Sequence, residues 1–418
     1  AKGGLRRMKK YDEYKDSGVA WIGEVPRHWE VIKLKYKYHF QTGATPNTGK
    51  KENFEGELKW ANISDLNGSV VYDTTKHINK EAASKCSMNI SPKGSLMYSF
   101  KLSVGTVAFC GEDMYTNEAI ASFIPQKNDL KYLFYCAPIF IIHNANRNIY
   151  NAPLLNQELI KNALICLPSL NEQTAIATYL DTHCAKIDNL ISIQQKRIAL
   201  LQELKQSVIT HAVTKGLNPN VEMKQSGVEW IGDVPKHWEL VRTRYLCNLC
   251  TGSKDTINRV DDGKYPFYVR SPKVERINTY SFDGEAILMA GDGVGAGKVF
   301  HYAVGKFDYH QRVYNFHNFK HVLGKFFYNY ISNNFKYIIE EGGAKNTVDS
   351  VRLYMIQNFM TTVPPLEEQM EICNYIEQKE KVFDTSISNA QHQIELLQEY
   401  KQSLITEVVT GKRKVTDN

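Results

Sequence analysis

Ten residues, WIGEVPRHWE at 21–30, return as WIGDVPKHWE at 230–239, and this duplication constrains the fold more than any other feature of the chain. The match widens to SGVAWIGEVPRHWEVIKLKY (17–36) against SGVEWIGDVPKHWELVRTRY (226–245), identical at twelve of twenty positions. Further matches follow at another offset: LPSLNEQ (167–173) against VPPLEEQ (363–369), and ALLQELKQSVIT (199–210) against ELLQEYKQSLIT (395–406). The first pair is offset by 209 residues and the others by 196, so the segments between them differ in length by 13 residues while their borders are kept. The chain therefore reads as frame, insert, helix, twice over. A fixed frame around two dissimilar inserts, roughly 37–166 and 246–362, suits a device that does one job twice with different specificities.

The helices are the clearest elements. Ile187, Ile191, Gln194, Ile198, Leu201, Lys205, Val208 and Ala212 alternate steps of four and three, and so do Phe383, Ile387, Ala390, Ile394, Leu397, Lys401, Leu404 and Val408. That is heptad spacing, blemished in both copies by a lysine in the seam. Leu200, Leu204, Leu396 and Tyr400 widen each stripe, which predicts more than one packing partner per helix. No Pro or Gly interrupts 170–214 or 366–410. About 45 helical residues at 1.5 Å each make a rod of about 68 Å, the length of a spacer. An intramolecular antiparallel coiled coil is expected, with a helical core element as the plainer alternative.

The inserts hold short β-type runs punctuated by Gly, Asn and Pro: VIKLKYKYHF, SLMYSF, GTVAFC, AILMA and GKVFHYAV. Both contain a strand, a glycine-bearing turn and a second strand, KGSLMYSFKLSVGTVAF and DGEAILMAGDGVGAGKVF. The fold class is thus mixed α/β (α+β): two globular modules joined by two long antiparallel coiled-coil helices, with a pseudo-twofold internal repeat.

At 418 residues the chain can form two or three domains. Its 43% hydrophobic and 23% charged content is ordinary for a globular protein. No run of about 18 apolar residues predicts a membrane span, and AKGGLRRMKKYDEY lacks the apolar core of a secretory signal. A cytoplasmic location is the expectation, with the residues before Met8 read as a tag remnant or upstream extension. Net charge is +6, mild enough to suit a polyanion partner without requiring one. Of eight cysteines only Cys247 and Cys250 form a CxxC, with no second pair spaced to complete a zinc site, so two reduced thiols are expected.

Motifs for catalysis fail on inspection. AGDGVGAGKV (290–299) carries Asp292 and Val299 where a phosphate loop needs Gly and Ser or Thr. It reads as a glycine-rich hairpin tip, of a kind that lets backbone approach a ligand closely. Glu57 and Lys59 echo a nuclease E-x-K without the acidic partner. No nucleophile elbow, HExxH or Asn-Pro-Pro-aromatic stretch occurs, so no catalytic centre or metal site is expected. Trp21, Trp29, Trp230 and Trp238, with His28 and His237, read as a structural lid or docking patch.

Contact candidates lie in the inserts. HNANRNIYN (143–151) reads as an exposed loop offering Asn146, Arg147, Asn148 and Tyr150 to phosphates and base edges. FDYHQRVYNF (307–316) alternates, which would put Tyr309, Gln311 and Val313 on one face and His310, Arg312 and Tyr314 on the other. Lys101, Arg270, Lys273, Arg276, Lys298, Lys345 and Asn346 add donors. Arginine is unevenly shared: Arg147 alone in 37–166, against Arg259, Arg270, Arg276, Arg312 and Arg352 in 246–362. Because bidentate Arg is the commonest guanine contact, the first insert is expected to lean on Asn, Gln and Lys and to depend less on guanine.

The doubled WIGE-x-P-x-HWE, the P-x-L-x-EQ that opens each long helix and the LLQE-x-KQS-x-IT that ends it resemble the specificity subunits of Type I restriction–modification enzymes, and the resemblance runs over the whole chain after residue 8. It implies a non-catalytic subunit with target recognition domain 1 at 17–166, a central conserved helix at 167–216, linker and target recognition domain 2 at 217–362, and a distal conserved helix and tail at 363–418, after an N-terminal extension at 1–16. Each recognition domain would read one half of an asymmetric bipartite site in double-stranded DNA. The helices would set the spacer and dock two modification subunits. Those partners, joined by restriction subunits, would carry S-adenosylmethionine, ATP and Mg, leaving no cofactor on this chain. Two other readings compete: a non-enzymatic adaptor whose inserts bind protein or carbohydrate, and a self-contained nuclease built on Glu57 and Lys59.

Overall fold

The computed structural model describes residues 9–126, 129–341 and 350–415. They form two compact units: unit 1 draws on residues 1–193 and 394–418, unit 2 on residues 194–393. The helices used below are α1 (Leu130–His143), α2 (Leu170–Lys215), α3 (Gly324–Asn334) and α4 (Leu366–Val409). The rods predicted from heptad spacing are thus 46 and 44 residues long, within one residue of the expected ends. No described helix is long and apolar enough to cross a membrane.

Each unit contains a stretch of α2 beside a stretch of α4, and in each the two run antiparallel. In unit 1, Asp188 meets Lys401 at 2.7 Å, while Tyr11 binds Glu172 and Tyr14 binds the carbonyl of Gly411, so the start of α2 lies by the end of α4. In unit 2, Lys205 Nζ lies 2.9 and 3.1 Å from the Asp384 carboxylate, and the end of α2 at Gly216 lies against Glu368 near the start of α4. The seam lysines are therefore not blemishes. Asp384 stands 196 residues after Asp188, as Lys401 does after Lys205, so both units hold the same Lys–Asp pair between the same helix faces. The pairs are partly exposed and worth little energy, but they fix which turns of the two helices face each other.

The duplicated frame acts as a collar where an insert leaves and returns. The strand Glu30–Lys33 pairs antiparallel with Leu164–Leu167, just before α2, and Glu239–Arg242 pairs with Met360–Val363, just before α4. The registers correspond, Glu30 opposite Leu167 and Glu239 opposite Val363, although the enclosed segments differ by 13 residues. An insert can change length and sequence without disturbing the collar, because its two ends are hydrogen-bonded to each other. Trp29 and Trp238 are 0% exposed in the collars and anchor them. Truncating either would cost roughly 3–5 kcal/mol.

Collar and rods are tied by the same chemistry in both units. Proline precedes each long helix, and Gln173 Nε2 donates to Pro168 O, Gln369 Nε2 to Pro364 O. Glu172 and Glu368, in the first turns where the helix dipole favours an anion, face His28 Nε2 at 3.0 Å and His237 Nε2 at 2.9 Å. The recurrence of these histidines is explained by helix anchoring, and the frame, read from sequence as a structural lid or docking patch, braces the start of each long helix. Trp21 stacks on His143 of α1, and Trp230 on Tyr337 and Phe359, so the outer tryptophans hold the insert. Residues 9–16, read as an extension, are integrated: Tyr11 is buried and Tyr14–Asp16 pairs with Glu24–Pro26.

The inserts share a sheet plan. In unit 1 the strands are β1 (Phe40–Thr42), β2 (Val70–Val71), β3 (Leu96–Ser99), β4 (Val107–Cys110) and β5 (Ile120–Phe123), in the order β1-β5-β3-β4-β2. In unit 2 they are β6 (Asn248–Thr251), β7 (Tyr265–Tyr268), β8 (Glu275–Ile277), β9 (Phe282–Ala290), β10 (Phe300–Tyr309) and β11 (Val313–His317), in the order β6-β11-β9-β10-β7-β8. The first four positions correspond, and in both units the next strand (β2 or β7) joins in parallel. Register makes the match residue by residue: Thr42 faces Ala121 and Thr251 faces Tyr314, Ile120 faces Ser99 and Val313 faces Ala290. The run VIKLKYKYHF, expected as one strand, is two strands separated by a helical turn at Leu34–Tyr36.

Candidate nucleic-acid interface

In each sheet three loops meet at one end: those after β1 or β6, after β3 or β9, and before β5 or β11. Glycine makes the meeting possible. A Cβ on Gly43 would lie 1.6 Å from Thr116 O, and one on Gly252 would lie 2.1 Å from Tyr309 O, so in both units the loop after the first strand passes directly over the neighbouring backbone. The hydrogen bonds Phe100 N to Ala119 O and Gly291 N to Arg312 O close the other side in the same way.

The two loop ends carry different side chains. In unit 1, Lys101 lies 3.7 Å from Glu118, which also accepts from the Thr45 hydroxyl. These contacts hold the Glu118 carboxyl below the usual carboxylate range, the Thr45 hydrogen bond contributing most. In unit 2 the register counterpart of Lys101 is Asp292. Arg270 Nη1 lies 3.0 Å from its Oδ1 and Arg312 Nε 3.6 Å from its Oδ2. Gln311 Nε2 donates to Asp255 at 2.9 Å. Beneath them His310 is buried, and burial, reinforced by the nearby Arg270 charge, holds its imidazole below the usual histidine range. It is therefore neutral near pH 7. Since its Nδ1 accepts the Arg312 N–H at 2.9 Å, the ring proton sits on Nε2, which faces Asp255 at 3.6 Å.

The structure sorts the residues singled out from the sequence. It brings Arg270, Gln311 and Arg312 together at the loop end of unit 2, with Lys298 on the hairpin tip between β9 and β10. That tip is the glycine-rich stretch: Gly293 and Gly297 take φ of +70° and +63°, and Val294 between them is 99% exposed. Lys101 occupies the equivalent end of unit 1. Asn146 and Arg147 pair with Pro153–Leu154 in a small hairpin after α1. There Asn148 Oδ1 accepts from the Tyr150 and Ala152 amides, and Tyr150 is 83% exposed at the tip. Gln157 then donates to Thr42 Oγ1 at 3.0 Å, so the chain leaving the hairpin passes the loop end of β1.

Other candidates are placed differently. Tyr309 is interior, 5% exposed, with its hydroxyl 3.2 Å from Cys250 Sγ; the expectation of an outward position fails because FDYHQRVYNF is not one strand. β10 ends at Tyr309, residues 310–312 turn, and β11 begins at Val313, which breaks the alternation. Arg276 is exposed, but its Nε and Nη2 donate to the carbonyls of Gly263 and Lys264 and hold that turn. Lys273 pairs with Glu275 at 3.5 Å. Lys345 and Asn346 lie outside the described residues. Sequence reasoning missed Asp292 as a ligand of arginine and Glu118 as its counterpart opposite Lys101, because both lie far in sequence from their partners.

Residues considered for other chemistry have structural partners. Lys59 Nζ donates to Tyr72 O at 2.7 Å and faces Glu112. Cys247 is buried, with its thiol toward Thr243 O, and the Cys250 thiol faces Tyr309 and His317. No group of three or more His, Cys, Asp or Glu among the described residues could hold a metal. A cleft of about 680 Å³ in unit 1 lies away from the loop end, between α1 and the helix pair, with Asp181, Asp188 and Lys401 among its lining.

Comparison with known proteins agrees with this architecture. A chain from a solved structure on complex assembly and conformational transition of the type I R-M system superposes with a TM-score of 0.70 at 14% identity, covering 92% of this chain and 98% of its own, a likeness of fold. The Type I restriction enzyme MjaIX specificity subunit of Methanocaldococcus jannaschii is 26% identical over 255 residues, which is 59% of this chain and 58% of that relative, so the match spans little more than half of its length. The putative type I restriction enzyme MjaX specificity subunit of the same organism is 25% identical over 430 aligned positions, covering 94% of this chain and 96% of that one. The model of the Type I restriction modification DNA specificity domain matches residues 26–203 and again 235–396, one match for each frame and insert. With most of its length covered by two separate matches to that domain, the chain belongs to the Type I restriction–modification specificity family.

Proposed function

We propose that this chain is the DNA-reading subunit of a Type I restriction–modification complex, each unit reading one half of an asymmetric bipartite site in double-stranded DNA. One observation carries the reading: equivalent collars and matched sheets present, at the same loop end, unlike polar sets. Lys101, Glu118 and Thr45 stand in one unit; Arg270, Asp292, Gln311 and Arg312 stand in the other. A repeated scaffold with unlike tips fits two readers of unlike sequences, since base identity is told by donor and acceptor pattern at the groove edge.

The long helices then set the spacer and dock two modification subunits, and the exposed Leu200, Leu204, Leu396 and Tyr400 supply apolar surface for them. S-adenosylmethionine belongs to those partners, which methylate adenine after drawing it from the stack. ATP and Mg belong to the restriction subunits. The chain itself contributes recognition, not chemistry, and works in the cytoplasm.

The test is DNA binding by the chain assembled with its modification partner, followed by fluorescence anisotropy at rising salt. Phosphate contacts predict a steep linear fall of log affinity with log salt, by a factor of about 10³ or more between 50 and 200 mM if six or more phosphates are engaged. Affinity for protein or glycan ligands with no DNA binding at any salt would overturn the reading.

A further inference from the structure

Five arginines lie between residues 246 and 362, and the structure separates them by what they touch. Arg276 is spent on two backbone carbonyls, and Arg259 faces Asp261 and Glu275 at 3.8 and 3.9 Å. Arg352 precedes the short helix Leu353–Asn358, its carbonyl accepting from Met355. Arg270 and Arg312, from different loops, converge on the single carboxylate of Asp292, one on each oxygen.

The backbone around Asp292 is held from two directions. Gly291 N donates to Arg312 O at 2.8 Å, Val351 N donates to Gly291 O at 2.7 Å, and Asp292 bridges Ser350. A Cβ at Gly291 would meet the Tyr314 ring at 2.9 Å and Arg312 O at 3.0 Å, so the clamp closes only with glycine there. Asp292 is mostly covered, while both arginines are well exposed. Because Arg312 meets Asp292 through Nε, its outer pair of Nη groups faces no acceptor among the described residues. That pair is the planar fork that matches guanine O6 and N7, and the carboxylate of Asp292, hydrogen-bonded to Arg270 and ion-paired with Arg312, keeps the two guanidiniums side by side at the loop end.

Resting on the DNA-reading function above, we propose that Arg312, with Arg270 beside it, reads guanine in the half-site assigned to unit 2, and that Asp292 is the positioning residue that draws both to the same end of the sheet. The same end of unit 1 carries Lys101 in place of Asp292 and Ala119 in place of Arg312, so this mode of reading belongs to one half-site only.

The test maps methylated adenines in cells that carry the chain and its modification partner, with Arg312→Lys, Arg312→Ala or Asp292→Asn introduced. Lysine keeps the charge for a phosphate but loses the fork. Arg312→Lys is expected to relax a guanine position in one half of the motif, with discrimination falling roughly 5- to 150-fold, while the other half stays intact. Asp292→Asn is expected to relax the same position. The unmutated complex is tested in parallel on DNA whose half-site guanines are replaced by 7-deazaguanine, which lacks the N7 acceptor, and its affinity should fall by a similar factor. An unchanged motif with Arg312→Lys, uniformly weaker methylation of an unchanged motif with Arg312→Ala, or unchanged affinity for 7-deazaguanine DNA would overturn the proposal. A deletion strain that loses no methylated motif would instead overturn the DNA-reading function on which it rests.

Discussion

Replacing Gly411 with alanine tests how each rod is locked into its collar. Gly411 follows α4 at φ +73°, and an added Cβ would lie 2.2 Å from Pro26 Cδ, 2.7 Å from Pro26 Cγ and 3.3 Å from Trp29 Cζ3. The left-handed backbone costs an L-residue roughly 1–2 kcal/mol. Pro26 sits buried in a paired strand and cannot swing aside, so overpacking adds roughly 1–3 kcal/mol. The matching helix end in unit 2 supplies the control. Gly216 has φ +78°, but its Cβ would stand 3.2 Å from Glu368 Oε1 and Trp238 Cζ2, contacts that relax by small shifts. Gly216→Ala should therefore cost only the roughly 1–2 kcal/mol of backbone strain. Hydrogen exchange read by mass spectrometry at each helix end is the assay. The difference of about 2 kcal/mol predicts roughly thirtyfold faster exchange at the end of α4 in Gly411→Ala than at the end of α2 in Gly216→Ala. Equal exchange in the two variants would refute the collar as the lock on the helix ends.

Other predictions follow from the same comparison of units. Trp238→Phe should destabilise more than Trp29→Phe, by roughly 1.5–3 kcal/mol in thermal unfolding, because Trp238 Nε1 donates to Glu368 at 3.0 Å whereas Trp29 Nε1 has no partner among the described residues. A double-mutant cycle on Asp188 and Lys401, read by denaturant unfolding, should give a coupling of roughly 0.2–1 kcal/mol that shrinks with salt; a coupling of several kcal/mol would contradict a register-setting role. At pH 8 an alkylating reagent should label Cys250 and Cys86 first, as seen by peptide mapping. Burial pushes the thiols of Cys110, Cys166 and Cys247 up to about 12 and that of Cys136 well above the ordinary range, so these stay protonated and covered. Prompt labelling of Cys136 would show that α1 opens readily.

The fold was legible wherever the sequence repeats or keeps a helical period. The 3.5-residue period over α2 and α4 survives any environment, and Pro and Gly mark their ends, so both boundaries fall within a residue. The pairing of collar strands could be approached only through the two offsets, since neither Glu30 nor Leu167 announces its partner. Seam lysines looked like defects because their aspartates sit on the other helix, far along the chain. Inside the inserts, alternation misled at Tyr309, where a three-residue turn resets which face each side chain takes. The arginine clamp was illegible for a similar reason. Residues 270, 292 and 312 occupy separate loops, and only the sheet order brings them together. What composition did offer was the excess of arginine in the second insert, and of those arginines Arg270 and Arg312 meet at Asp292.

The most direct test of the central claim, two readers on one repeated scaffold, is single-molecule mapping of methylated adenines in cells with this gene and its modification partner, compared with cells from which only this gene is deleted. The account predicts loss of one asymmetric motif made of two unlike halves separated by a fixed run of unspecified bases. A methylation pattern that is unchanged by the deletion, with the partner present and active, would contradict it.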